Sequence, residues 1–156
     1  MSETPLAPQV TKVLVIDDDP SLLTTLSESL DILGGFQVAT ATDGAQGLEQ
    51  VEIVQPDCII VDIRMPGLNG YQFVRALRGD SATAAISIIV LSALVQDNEQ
   101  FAGMLTGADA YLLKPVKIAD LVSQITHLMW IPPATRAARR RLALDPTIPD
   151  GPDGQE

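Results

Sequence analysis

The sequence predicts an α/β fold, a doubly wound parallel sheet of five strands with helices on both faces. Two observations carry that reading. Five short apolar runs rich in Val, Ile and Leu alternate with stretches whose apolar residues recur at helical spacing. The connections between them are short and punctuated by Gly, Pro and Asp, the pattern of βα units, which close only as a parallel sheet.

Taken in order, Lys12 to Ile16 (KVLVI) is the first strand and runs into three aspartates, Asp17, Asp18 and Asp19. Asp19 followed by Pro20 reads as a helix N-cap with proline at the first helical position. Leu22, Leu23, Leu26 and Leu30 then line one helix face until Gly34 and Gly35 end it. Phe36 to Thr40 is the second strand, and Asp43 caps a second helix with Leu48, Val51, Ile53 and Val54 turned inward, stopped by Pro56. The third strand, Cys58 to Val61, is apolar on both faces and delivers Asp62 into a turn marked by Pro66, Gly67 and Gly70. Asn69 caps a third helix with Phe73, Val74 and Leu77, closed by Gly79. Ile86 to Leu91 is the fourth strand, ending on Ser92, and Asp97 with Gln100 forms a capping box for a fourth helix that ends at Gly107. Asp109 to Leu113 is the fifth strand, ending on Lys114 and Pro115, and Ile118 to Trp130 is a last helix, terminated by Pro132 and Pro133.

Composition narrows the function. The chain of 156 residues carries a net charge of -10, and all of that excess lies before residue 131. A body this acidic repels phosphate backbones, which argues against direct reading of nucleic acid. One cysteine, Cys58, sits in an apolar run and one histidine, His127, in a helix, so a soft metal site has no ligand set and any metal must be held by oxygen. The amino terminus lacks an apolar targeting segment and no run approaches membrane-spanning length, so a cytoplasmic protein is expected. Residues 1–10 are expected to be disordered, 11–131 to form the domain, and 132–156 to be a partly disordered tail with a basic segment at 136–141.

In a parallel sheet the carboxyl ends of the strands share one edge, where open α/β folds bind ligands. That edge gathers Asp17 and Asp18, Asp62, Ser92 and Lys114. Three carboxylates brought together repel, which a hard cation such as Mg²⁺ would relieve, while a lysine and a serine suit the oxygens of a phosphoryl group. The pieces VLVIDDDP, IIVDIRMPGLNG, IVLSA and GADAYLLKP, in this order, resemble the receiver domain of two-component response regulators over about residues 11 to 130. The resemblance implies a flavodoxin-like sheet of order 2-1-3-4-5 and a histidine kinase or phosphotransfer protein as phosphoryl donor. It implies Asp62 as phosphoacceptor, Asp18, Asp62 and the Arg64 backbone carbonyl as Mg²⁺ ligands, and Asp17 as holder of a metal-bound water. Ser92 and Lys114 would contact the phosphoryl group, Tyr111 would turn inward as Ser92 moves, and the Lys114–Pro115 bond would be cis. Members of the family often pair through the fourth helix, fifth strand and fifth helix, so a homodimer by that face is an expectation.

Tyr111 also reads simply as a half-buried strand aromatic, and His127 as an ordinary helix residue. The resemblance also implies that Arg64 and Leu94, each two residues past a site residue, flank the path of the hydrolytic water, where a long arginine beside a branched leucine would slow loss of phosphate. The segment TRAARRRLAL holds four arginines and reads as a solvated helix or a docking segment, too short for an output domain. The expected function is therefore a single-domain response regulator, a switch and not an enzyme, with an unknown output protein as partner. The alternatives are a haloacid-dehalogenase-like phosphatase, with Asp17 as nucleophile and Asp19 as acid, and a phosphate-independent binding module.

Overall fold

In a computed structural model, residues 10–93 and 107–144 are described. Strands β1 (Lys12–Ile16), β2 (Gln37–Ala41), β3 (Cys58–Asp62), β4 (Ser87–Ser92) and β5 (Ala110–Leu113) form one sheet in the order β2-β1-β3-β4-β5. Every neighbouring pair is parallel, with Ile16 beside Val61, Asp62 beside Leu91 and Ser92 beside Leu113. That register levels the carboxyl ends of β1, β3, β4 and β5. The described helices are α1 (Pro20–Gly34), α2 (Gly44–Val54), α3 (Gly70–Arg78), α4 (Ile118–Trp130) and α5 (Pro133–Leu144).

The central strands explain why the sheet needs two helical layers. Alternate residues of β1, β3 and β4 feed different cores: Leu14, Ile59 and Ile88 pack with Phe73 and Val51 on one face, Val13, Ile60 and Ile89 with Leu26 and Leu121 on the other. A strand buried on both sides reads as an uninterrupted apolar run, and β3 is buried at all five positions. Local signals set the helix ends. Asp19 accepts from the Ser21 and Leu22 N–H groups, and Asn69 with Gln72 closes a reciprocal capping box at the head of α3. Gly35 ends α1 at φ 69°, a left-handed turn that an L side chain resists.

Several boundaries differ from the sequence reading. β2, β4 and β5 each begin one residue later than expected, at Gln37, Ser87 and Ala110, because Phe36, Ile86 and Asp109 lead into the ladder without joining it. Ile53 is not turned inward; it is 73% exposed, since Gly47 and Val51 supply the buried stripe of α2 and Ile53 falls on the opposite side. The helix expected to start at Asp97, with its capping pair Gln100, and Leu94 lie outside the described residues.

The largest difference follows Trp130. Pro132 and Pro133 do end α4, but Pro133 also occupies the first position of α5, where proline costs nothing because no intrahelical N–H is needed there. Arg136 of α5 is only 6% exposed, and its guanidinium donates to the carbonyls of Ala85, Leu128 and Ile131. The first turn of the expected tail is thus pinned to the body by backbone acceptors. Arg136→Ala is expected to lower stability to chemical denaturation by about 2 kcal/mol, with Arg136→Lys failing to restore it because an ammonium cannot span three divergent carbonyls. A denaturation midpoint equal to the parent's would show that this anchor carries no stability.

Candidate functional site

The candidate site is built from the ends of four strands, β1, β3, β4 and β5, and the loops that follow. β1 ends at Ile16 and places Asp17 under the sheet edge, where its backbone N–H still bonds the Ala41 carbonyl. Asp17 is 1% exposed, and its Oδ1 accepts the Asp19 N–H at 3.0 Å, which fixes the carboxylate. Asp18 is exposed at the mouth, and Asp19 lies outside the pocket, occupied in capping α1.

Asp62, the last residue of β3, is 6% exposed. The loop behind it turns back at once because the Gly70 N–H bonds the Ile63 carbonyl and α3 starts directly against the strand end. A Cβ on Gly70 would lie 2.6 Å from the Asp62 carbonyl oxygen and 2.8 Å from Ile63 Cα, so only glycine lets α3 approach this closely. Ser92 closes β4 and is buried. Lys114 follows β5 through a cis bond to Pro115, and its N–H bonds the Ser92 carbonyl, so the last turn of the chain at this edge is tied to β4.

Lys114 draws the constellation together. Its ammonium donates to Asp17 Oδ2 at 2.8 Å and lies 3.3 Å from Asp62 Oδ1. Burial opposes its charge, but the bond to Asp17 and the charge of Asp62 outweigh that and hold its pKa above the ordinary value. Asp62 shows the opposite balance. Burial pushes its carboxyl up to about 6, Lys114 pulls it down, and Asp17 and Asp18 push it up again. One lysine does not neutralise three carboxylates. Asp17, Asp18 and Asp62 each offer an oxygen, all within 4.8 Å of one another, a donor set of hard anionic oxygens with uncompensated negative charge. Such a set fits a divalent cation of the Mg²⁺ class.

Of the residues singled out from the sequence, Asp17, Asp18, Asp62, Ser92 and Lys114 converge on this edge. Tyr111 sits one strand away, partly buried against the helix-covered face of the sheet and paired with Val90. Burial and Asp109 push its phenol up to about 12, so it stays a neutral hydrogen-bonding ring at physiological pH. Arg64 is exposed on the β3–α3 loop, in a wall shared with Met65, Asn69 and Tyr71. His127 is exposed on α4, and Cys58 is fully buried with its thiol pKa pushed up by burial. Among the described residues no helix is long and apolar enough to cross a membrane.

Sequence reasoning missed one pair that supports the site from behind. Arg78 donates to the carbonyls of Gly107, Ala84 and Ile86 and pairs with Asp109 at 3.1 Å, and Asp109 also accepts the Ile88 N–H. This buried pair locks the start of β5 against β4, which sets where Lys114 emerges at the other end. No periodicity marks it. The only sequence hint is Gly107, where a Cβ would press on Arg78 Cγ at 2.9 Å.

Residues 13–126 match the family model described as the response regulator receiver domain. The chain is 42% identical over 118 residues to the transcriptional regulatory protein PrrA of Mycobacterium tuberculosis (strain ATCC 25618 / H37Rv), which covers 76% of this chain and 49% of that protein. It is 38% identical over 117 residues to the DNA-binding response regulator MtrA of Mycolicibacterium smegmatis (strain ATCC 700084 / mc(2)155), covering 73% and 48%. The chain thus spans about half the length of the curated relatives it matches. Among solved structures, the chemotaxis response regulator CheY4 of Vibrio cholerae superposes with a TM-score of 0.70 at 30% identity over 77% of this chain and 99% of that one.

The raised Asp62 gives stability a pH dependence of defined sign. Between the ordinary carboxyl value of 3.8 and about 6, the folded chain binds a proton that the unfolded chain has released. In metal-free buffer this group's contribution is therefore full below the ordinary value and is lost as pH rises through about 6. Asp62→Asn is expected to unfold at higher temperature than the parent at neutral pH, with the gap closing below the ordinary carboxyl range. Parallel melting curves at all pH values would show that the charge on Asp62 costs the fold nothing.

Proposed function

This chain belongs to the response regulator receiver family, and from that premise we propose that it is a phosphorylation switch whose phosphoacceptor is Asp62. The observation that carries the reading is Asp62 itself, a buried carboxylate at a strand end, 3.3 Å from a lysine ammonium and amid two further carboxylates. A histidine kinase or phosphotransfer protein is the proposed donor. An Asp62 oxygen attacks phosphorus in line, the P–N bond to the donor imidazole breaks as the P–O bond forms, and an acyl phosphate remains on Asp62.

Lys114 holds positive charge where the transferring oxygens arrive. In donating to them it loosens its contact with Asp62 and keeps Asp17 as partner. Ser92 is proposed to donate to a phosphoryl oxygen, and Tyr111 to move into the space that Ser92 vacates. Asp17, Asp18, Asp62 and the backbone carbonyl of Arg64 are the residues that would hold Mg²⁺. When bound, the ion neutralises phosphoryl charge as a Lewis acid. Output is proposed to be phosphorylation-dependent binding of a protein partner by the receiver itself.

Asp19 speaks against the phosphatase alternative. That chemistry needs it as a mobile acid, yet its carboxylate accepts from the Ser21 and Leu22 N–H groups at the N-terminus of α1. A phosphate-independent module is disfavoured because three clustered carboxylates with one lysine among them leave negative charge that phosphoryl and cation chemistry would use.

The test is labelling by a small phosphodonor in Mg²⁺. The parent is expected to take up one acid-stable, base-labile phosphoryl group at Asp62, Asp62→Asn none, and Lys114→Ala to label more than ~10-fold more slowly. After donor removal, Arg64→Asn is expected to lose the group faster than the parent, because a long guanidinium beside the acyl phosphate hinders the approaching water. Undiminished labelling of Asp62→Asn at another aspartate would overturn the assignment, and equal decay rates would remove Arg64 from it.

A further inference from the structure

We propose that α5 is a responsive element of this chain, held to the body by a relay of hydrogen bonds that starts at β5 and loosens when Asp62 is phosphorylated. The proposal rests on Asp62 as phosphoacceptor, and its first link is Lys114. The Lys114 N–H bonds the Ser92 carbonyl at 2.7 Å just past the end of β5. At the other end Asp109 is tied to Ile88 twice, by its own N–H to the Ile88 carbonyl and by its carboxylate to the Ile88 N–H, each at 2.8 Å. Only the four residues of β5 lie between. A strand is already near its full extension and does not stretch, so a pull on Lys114 reaches Asp109.

At Asp109 the relay leaves the sheet. Its side chain is buried, and one oxygen, Oδ2, serves both the Ile88 N–H and the Arg78 guanidinium, the latter at 3.1 Å. Arg78 also donates to the carbonyls of Ala84 and Ile86, on the segment that joins α3 to β4. The carbonyl between those two, that of Ala85, accepts from Arg136 of α5 at 2.7 Å. Three consecutive carbonyls are therefore clasped by two guanidiniums, one tied to β5 and the other carried by α5. Arg136 is buried while Pro132, Pro133, Ala134 and Thr135 before it are exposed, so its bonds to Ala85, Leu128 and Ile131 anchor this turn.

The weak point is the shared oxygen. When Lys114 turns to the phosphoryl oxygens, β5 shifts with it, and Asp109 Oδ2 cannot follow the strand and keep both donors. The Ile88 bond belongs to a doubled contact within the sheet, so Arg78 is the partner released. A guanidinium without its carboxylate holds the Ala84 and Ile86 carbonyls less firmly, and the Ala85 carbonyl loses its fixed aim at Arg136. α5 then keeps only the acceptors just upstream of it, Leu128 and Ile131. Coupling of this kind is reciprocal: a chain whose α5 is already released binds a phosphoryl-like ligand at Asp62 more tightly by the same factor.

The test is backbone hydrogen exchange on the full chain, read at residues 134–138 of α5, with and without beryllofluoride and Mg²⁺ as the phosphoryl stand-in. Bound beryllofluoride is expected to speed exchange there at least ~5-fold while β1 and β3 stay protected. Asp109→Asn, which keeps an acceptor for Ile88 but not the charge for Arg78, is expected to speed it similarly with no ligand present. Arg75→Ala, an exposed change on α3 that removes only the contact with Tyr71, should alter neither rate. Arg136→Ala is expected to bind beryllofluoride at least ~5-fold more tightly than the parent. Parent-like exchange at α5 in Asp109→Asn would overturn the relay, whether or not the site takes up the ligand. Exchange that rises in Asp109→Asn but ignores bound beryllofluoride would overturn the link to Asp62. Beryllofluoride binding undiminished in Asp62→Asn would instead remove the phosphoacceptor reading and the trigger with it, while Asp109→Asn still decides the relay.

Discussion

The ammonium of Lys114, held between Asp17 and Asp62, is the contact on which the site depends. Three carboxylates and one lysine are brought to a common edge by strand ends that the ladder register leaves no freedom to separate. The charge there is deliberately incomplete. Lys114 anchors Asp17, but burial and the two neighbouring aspartates still push Asp62 up to about 6. A group in that state gains from any cation that enters and from any reaction that converts its carboxylate into an ester-like oxygen. The same interaction thus supports both the proposed metal site and the proposed nucleophile.

The scaffold's part is to make this frustration affordable. Phe73, Ile59, Ile88 and their neighbours on one face, and Leu26, Ile60 and Leu121 on the other, bury the central strands completely. Burying a Leu, Ile or Phe side chain contributes about 1.5–3 kcal/mol, so a few such residues offset the cost of one unsatisfied carboxylate. Gly70 lets α3 seat directly on the end of β3, and the Arg78–Asp109 pair fixes β5 from below. Both act at a distance from the chemistry, and both decide where a site oxygen or ammonium stands.

Much of this was legible in the sequence because it is local. Asp19–Pro20, Asn69 and the apolar runs each act within a few residues, and each produced the element expected. The site residues were legible for a topological reason: parallel strands must end on one edge, so polar residues at strand ends must meet. What was not legible depends on long-range partners. The orientation of Ile53 is decided by which side of α2 the sheet covers, and the burial of Arg136 by the carbonyls of Leu128 and Ile131 just upstream together with that of Ala85, 51 residues away. An arginine run looks solvated in a sequence because nothing in the run itself shows that one member has found backbone acceptors. The pair of Arg78 with Asp109 spans 31 residues and is silent for the same reason.

The central claim is electrostatic and can be measured directly by following the Asp62 carboxyl carbon by NMR as a function of pH, with and without Mg²⁺. The account predicts that the metal-free chain titrates at Asp62 near pH 6, and that Mg²⁺ moves the titration well down as the cation replaces the missing positive charge. An Asp62 that titrates in the ordinary carboxylate range and ignores Mg²⁺ would contradict it.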